Sequence, residues 1–230
     1  MHELTELIRQ DMRPALGVTE SGAIAFAIST ARKHAPGIVR NVTLRLNSGM
    51  FKNAFTCGIP GSSEVGNYHA AALGAVGADP DKDLECLDGI TPEQAESAKA
   101  MVKAGKIEVE MSEITSRIFI EATVEATGGS ACVTIRDAHT NIVKITENGR
   151  TVFEKESAAA SEQDSVPVIH RYTLEQLHQY ALTVPVEEIF LHQGSFQTEL
   201  HALQGRSGKP QDYLLSLSVG EKRRQDHLGR

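Results

Sequence analysis

Residues 118–153, IFIEATVEATGGSACVTIRDAHTNIVKITENGRTVF, alternate apolar and polar side chains with a period of two through successive short runs. Ile118, Ile120, Ala122 and Val124 interleave with Phe119, Glu121, Thr123 and Glu125, so an extended segment here has one face for a core and a more polar face for water. Gly128-Gly129 turns the chain, and Ala131, Val133 and Ile135 repeat the alternation. Asn148-Gly149 then marks a hairpin between 142–146 and 151–153, because an Asn-Gly pair supplies the left-handed backbone of a two-residue turn. The pattern predicts an antiparallel meander with one covered face.

Working outward, 107–111 is a further strand, and Ile38 to Asn47 alternates as the first strand of the sheet, with Val42, Leu44 and Leu46 opposite Thr43 and Arg45. Cover comes from helices. Thr91-Pro92-Glu93-Gln94 has a capping Thr, Pro at the first helical position and Gln to close a capping box. A helix from Pro92 to Ala104 follows, with Ala95, Ala98, Met101 and Val102 toward the core and Gly105 as its stop. The small apolar run from Ala23 to His34 predicts a helix buried on most sides and ended by Ala35-Pro36-Gly37. Asn67 to Ala75 reads as another helix, Asp83 to Leu87 as a short one, and 48–66, with four glycines and a proline, as a loop.

The fold class expected is α+β: helices packed on an antiparallel sheet, followed by a helical hairpin. The domain reading is an α+β domain over 1–154, a polar linker over 155–172, a helical hairpin over 173–204 and a frayed tail over 205–230. In the hairpin, Thr173 and Gln176 form a second capping box, and Pro185 opens a second helix from Glu187 to Gln204.

Composition narrows the function classes. A net charge of -7 offers no phosphate-binding surface, so nucleic acid is not an expected partner. MHELTELIRQD has neither the basic nor the apolar region of a signal peptide, and no run is long enough to span a bilayer. A cytoplasmic location and no membrane partner are expected. Cys57, Cys86 and Cys132 lie far apart without a C-x-x-C pair, and read as free thiols. His170, His178, His192 and His201 lack the H-E-x-x-H spacing of a zinc helix, so no metal site is assigned.

The candidate chemistry gathers around residues 12–31, MRPALGVTESGAIAFAISTA. Thr19 reads as the N-cap of the apolar helix, and Glu20 sets a carboxylate beside its positive end. Lys52 and Asn53 offer charge-assisted hydrogen bonds to a substrate carboxylate. The loop around Gly61 can bring backbone N–H groups to an anion, although it fits neither a P-loop nor G-x-G-x-x-G. His139, in the turn with Thr140 and Asn141, is a candidate general base because its pKa lies near neutral. Plainer readings stand beside these: a helix cap, a solvated lysine and an exposed turn histidine.

Four stretches also resemble one family in the same order. PALGVTESGAIAFA is similar to the PALGCTEP-type opening of the L-cysteine desulfidases, iron-sulfur lyases related to the alpha domain of bacterial L-serine dehydratases. Met50-Phe51-Lys52-Asn53 agrees, as does Ile59-Pro60-Gly61-Ser62 leading to Ala70-Ala71-Ala72-Leu73-Gly74. So does Ala131-Cys132-Val133-Thr134-Ile135 followed by His139-Thr140-Asn141-Ile142-Val143. The resemblance covers about residues 4 to 200, the N-terminal half in that family. It implies β-elimination from L-cysteine or L-serine to give pyruvate and ammonia, with His139 and Glu20 as catalytic residues and Thr19, Lys52, Asn53, Gly61, Thr140 and Asn141 binding substrate. The family's opening cluster cysteine is Val18 here and its following proline is Ser21. The expectation is therefore a truncated relative that binds no iron-sulfur cluster alone. It either depends on a second subunit carrying the missing half, or is a non-catalytic module for a small amino acid or carboxylate. A truncated chain is also expected to expose an apolar docking patch, with homodimerisation as one result.

Overall fold

The computed structural model describes residues 2–11, 15–115, 117–155 and 167–189. Strands β1 (Val39–Leu46), β2 (Ile107–Met111), β3 (Phe119–Ala126), β4 (Gly129–Arg136), β5 (Ile142–Glu147) and β6 (Arg150–Glu154) form one sheet in the order β2-β1-β3-β4-β5-β6. The α+β class is as expected, and β3 to β6 form the antiparallel meander. The sheet is mixed rather than wholly antiparallel, because β2 lies parallel to β1, with Leu44 opposite Val109. A parallel neighbour needs a long crossover. Here it consists of α3 (Ser48–Ala54), α4 (Asn67–Val76) and α5 (Pro92–Lys103).

α2 (Thr19–His34) and α4 cover one face of the sheet, α2 against β3 and β4, α4 against β1 and β2, and α5 packs on α4. Every residue from Ser21 to Ala31 is buried, as the apolar run implies. Ile24 and Ile28 of α2, Leu73 of α4, and Leu44, Ile120, Val124, Val133 and Ile135 of the sheet are fully enclosed. Each such side chain contributes about 1.5–3 kcal/mol through removal from water. The other face carries Arg45, Glu121 and Lys144; Arg45 Nη1 donates to Glu121 Oε1 at 2.9 Å, and Lys144 Nζ to Glu154 Oε1 at 3.0 Å.

Both capping boxes form, at Thr91–Gln94 and Thr173–Gln176. Three local readings are corrected. Residues 48–54 are helical rather than loop, because Met50 and Ala54, four apart, both reach the core. Thr19 is the first helical residue, not the cap; that position is Val18, extended at φ -75°, ψ 124° and unable to bond the open amides. The short helix comes earlier than expected, as a 3₁₀ helix over Pro80–Glu85 interrupted at Asp83, where φ is 48°.

α6 (Leu174–Thr183) and α7 (Val186–Ile189) pair with α1 (Glu3–Asp11). Tyr180 Oη and Thr5 Oγ1 lie 2.7 Å apart, and Arg9 donates to Glu188 O at 3.0 and 3.1 Å. Most of the expected linker, the second hairpin helix beyond Ile189 and the tail lie outside the described residues.

Topology gathers the loops at one end. α2 reaches β1 through the short turn after His34, so its N-terminus lies beside the C-terminal end of β1. α4 runs parallel to α2. Arg32 of α2 donates to Ala75 O and Ala78 O at the far end, while Asn67, first in α4, donates to Phe51 O of α3 at 3.1 Å. The 137–141 turn follows β4 at this same end, where Asp137 N donates to Ile118 O beside the start of β3.

Candidate functional site

Glu20 is the centre of this end. Asn53 Nδ2 donates to Glu20 Oε1 at 2.9 Å, which joins α3 to the first turn of α2 across 33 residues of sequence. Cys57, just after α3, donates its thiol to Asn53 O at 2.7 Å. Burial and then the charge of Glu20 push the Cys57 thiol up, away from a reactive thiolate.

His139 reaches the same field from the β4–β5 turn. Burial holds its imidazole below the ordinary 6.5, and the charge of Glu20 opposes that shift. The neutral ring at pH 7 can accept a proton. Asn141, expected to bind substrate, is engaged in holding the turn: its Nδ2 donates to Arg136 O at 2.9 Å, and its Oδ1 accepts from Lys155 Nζ at 2.7 Å. Thr140 is half-buried, and its carbonyl accepts from Ile142 N at 3.0 Å.

The sign of the His139 shift sets an expected pH dependence. Between 6.5 and the lower folded midpoint the unfolded chain binds the extra proton, so this group costs stability as pH falls through that window and nothing above it. NMR titration is expected to place the His139 midpoint below 6.5, and Glu20→Gln is expected to lower it further. A midpoint that is unchanged in Glu20→Gln would show that the two groups do not share a field.

The other expected residues divide. Lys52 is exposed, one position before Asn53. Thr19 is half-buried at the start of α2, where Gly22 N to Val18 O is the first helical bond, leaving the preceding amides without intrahelical acceptors. Gly61 is required by its turn: φ is 75°, and an added Cβ would lie 2.8 Å from Ile90 Cβ. That loop also buttresses the helix start, since a Cβ on Gly17 would lie 3.0 Å from Pro60 Cγ.

Asn47 and Cys57 escaped the sequence reading. Asn47 is buried between β1 and α3; its Nδ2 donates to Thr115 O at 2.8 Å, and its Oδ1 accepts from Phe119 N at 3.0 Å. It fixes the start of the helix that delivers Asn53. Its signal was an Asn ending an alternating strand. For Cys57 the signal was its position four residues after Asn53.

An iron-sulfur cluster does not fit these residues. Among the described residues, no group of three or more His, Cys, Asp or Glu could hold a metal ion. Val18, which cannot ligate a metal, stands where the resemblance to the desulfidases would expect the opening ligand. Cys86 is buried beneath Gly22 with its thiol pushed up to about 12, and Cys132 lies on the sheet face with Arg45 and Lys144, away from the helices.

Fold and site thus define an α+β domain in which hydrogen bonds join a carboxylate, a carboxamide and a thiol at one end of the sheet, the end where the turn carrying His139 also lies. No family model matches the chain. Its homologues are named UPF0597 proteins. One from Dichelobacter nodosus is 32% identical over 216 residues, 94% of this chain and 49% of the relative. One from Yersinia enterocolitica is 36% identical over 186 residues, 80% and 42% respectively. One from Photobacterium profundum is 32% identical over 207 residues, 89% and 48%. The chain spans about half the length of these relatives. Among the described residues no helix is long and apolar enough to cross a membrane.

Proposed function

We propose that this end of the domain is one half of a binding site for a small α-amino acid, and that a longer protein completes it as a lyase acting on L-cysteine or L-serine. The observation that carries the reading is the Asn53–Glu20 hydrogen bond at 2.9 Å, with His139 in the field of the same carboxylate. It joins segments from three of the four stretches that resemble the desulfidases. Glu20 takes the α-ammonium of the ligand. Lys52 and the open amides at the start of α2 take its carboxylate. In the completed enzyme, neutral His139 accepts the α-proton, the Cα–H electron pair becomes the new double bond, and the β-substituent leaves as sulfide or hydroxide with its bonding pair. The resulting enamine tautomerises and hydrolyses to pyruvate and ammonia.

The absence of a fitting ligand set for the cluster favours a second reading for this chain alone, an amino-acid-binding module without turnover. Both readings share one test. Calorimetric titration of the full chain with L-serine is expected to show saturable binding, weakened about 10- to 100-fold in Glu20→Gln, as loss of a charged hydrogen bond implies. Succinate, a dianion that lacks the ammonium, is expected not to be weakened by that substitution. Equal L-serine affinity in wild type and Glu20→Gln would overturn the site, and no binding by the chain alone would overturn the reading of it as a self-sufficient binding module.

A further inference from the structure

We infer that the loop end of the sheet is also a docking surface, and that its occupant is the polypeptide segment by which the UPF0597 relatives exceed this chain. Half of the exposed large apolar side chains among the described residues gather here. Phe55 is 57% exposed, Val65 51% and Ile114 88%, and Val18, Tyr68 and Met111 are also exposed. They belong to one region. Phe55 stacks on Phe51 with ring centroids 6.1 Å apart. Gly58 and Val65 form an isolated bridge, and Gly66 N donates to Cys57 O at 3.0 Å, which brings the start of α4 against the end of α3. The 111–115 segment joins the same end through Ser48 N, which donates to Glu113 O at 2.9 Å, and Thr115 N, which donates to Ser48 Oγ at 3.1 Å.

Large apolar side chains exposed on α3's end, the loop that follows it, the first turn of α4 and the end of β2 lie outside this domain's core, and an exposed apolar patch among the described residues marks an interaction surface. The length relationship selects the occupant. The Dichelobacter nodosus relative matches 94% of this chain with only 49% of its own length, so its other half must pack against a surface of the matched half or stand apart. This end is the surface suited to it, because Val18 and Phe55 flank Glu20 and Asn53, and cover placed here would also close the half-open site. The inference does not depend on which ligand that site binds.

The test is co-expression of the tagged full chain with the untagged remainder of the Dichelobacter nodosus relative, followed by affinity purification. The wild-type chain is expected to retain the segment at near-equimolar ratio. The Phe55→Asp/Val65→Asp variant is expected to lose at least 10-fold of it while keeping its circular dichroism spectrum, since both side chains are more than half exposed. Val152→Asp/Phe153→Asp, on the exposed edge strand β6, is expected to retain it as wild type does. Failure of the wild-type chain to retain the segment would overturn the inference, as would loss only in the β6 variant. Sedimentation of the chain alone as a dimer that Phe55→Asp/Val65→Asp dissolves would overturn it too, by assigning the surface to a second copy. No amino-acid binding is read in this experiment, so its failure is separate from failure of the binding site.

Discussion

Replacing Gly74 with alanine is expected to destabilise the protein by about 2 kcal/mol, and with valine by about 3 kcal/mol, the range of overpacking in a close-packed core. The direction runs against helix propensity. Gly in a helix interior normally costs roughly 0.5–1 kcal/mol relative to alanine, so the same substitution on an exposed helix would stabilise. At Gly74 an added Cβ would lie 2.8 Å from Ala25 O, 2.8 Å from Ile28 Cβ and 3.1 Å from Ala25 Cα. Two of those atoms are backbone, so relief requires α4 to move away from α2. Both helices are buried along this contact, and their separation opens voids over Leu73 and Ile28. Urea denaturation is expected to show a lower midpoint with an unchanged slope. A midpoint equal to or above wild type would mean that the α2–α4 contact is looser than its geometry indicates.

The elements legible in the sequence are those whose signal is local. Strands β3 and β4 followed from alternation on either side of Gly128-Gly129, and β5 and β6 from the Asn148-Gly149 hairpin signal between them. Both capping boxes were readable because each needs only four residues. What failed was set by contacts far away in sequence. The 48–54 segment has loop-like composition, and only burial of Met50 and Ala54 against the sheet makes it a helix. The parallel seat of β2 depends on the crossover that precedes it, which alternation within 107–111 cannot report. Thr19 has the chemistry of a cap, yet the helix starts one residue earlier, after a turn at Gly17 whose φ of 76° brings it close to Pro60.

The candidate site divides in the same way. Glu20, Asn53 and His139 were each identifiable as chemically useful, but their convergence requires three chain segments to meet at one end of the sheet. That convergence is carried by groups that have no chemistry of their own to advertise. Asn141 is the instructive case: an amide nominated to bind substrate is engaged by Arg136 O and Lys155 Nζ, and in that role it shapes the turn that carries His139.

Asn47 shows how strongly the site depends on such groups. Asn47→Ala is expected to cost about 2–3 kcal/mol, because it strands the buried Phe119 N–H and leaves a small cavity. Thr115 O keeps a second donor, Ser48 Oγ at 3.2 Å, so the larger share of the loss falls on Phe119. Asn47→Asp separates the two contacts. It keeps an acceptor for Phe119 N but places an oxygen against Thr115 O, where Nδ2 now donates at 2.8 Å. The aspartate is therefore expected to be destabilised at neutral pH and to recover as the pH falls, when protonation restores one donor and removes the buried charge. α3 begins at Ser48 and delivers Asn53 to Glu20, so loosening Asn47 is also expected to free the Cys57 thiol from Asn53 O and speed its alkylation in the still-folded protein. Urea midpoints across pH, together with maleimide labelling at Cys57, check both halves of the prediction. An alanine variant with wild-type stability and wild-type labelling would mean that α3 is positioned by Met50 and Ala54 alone.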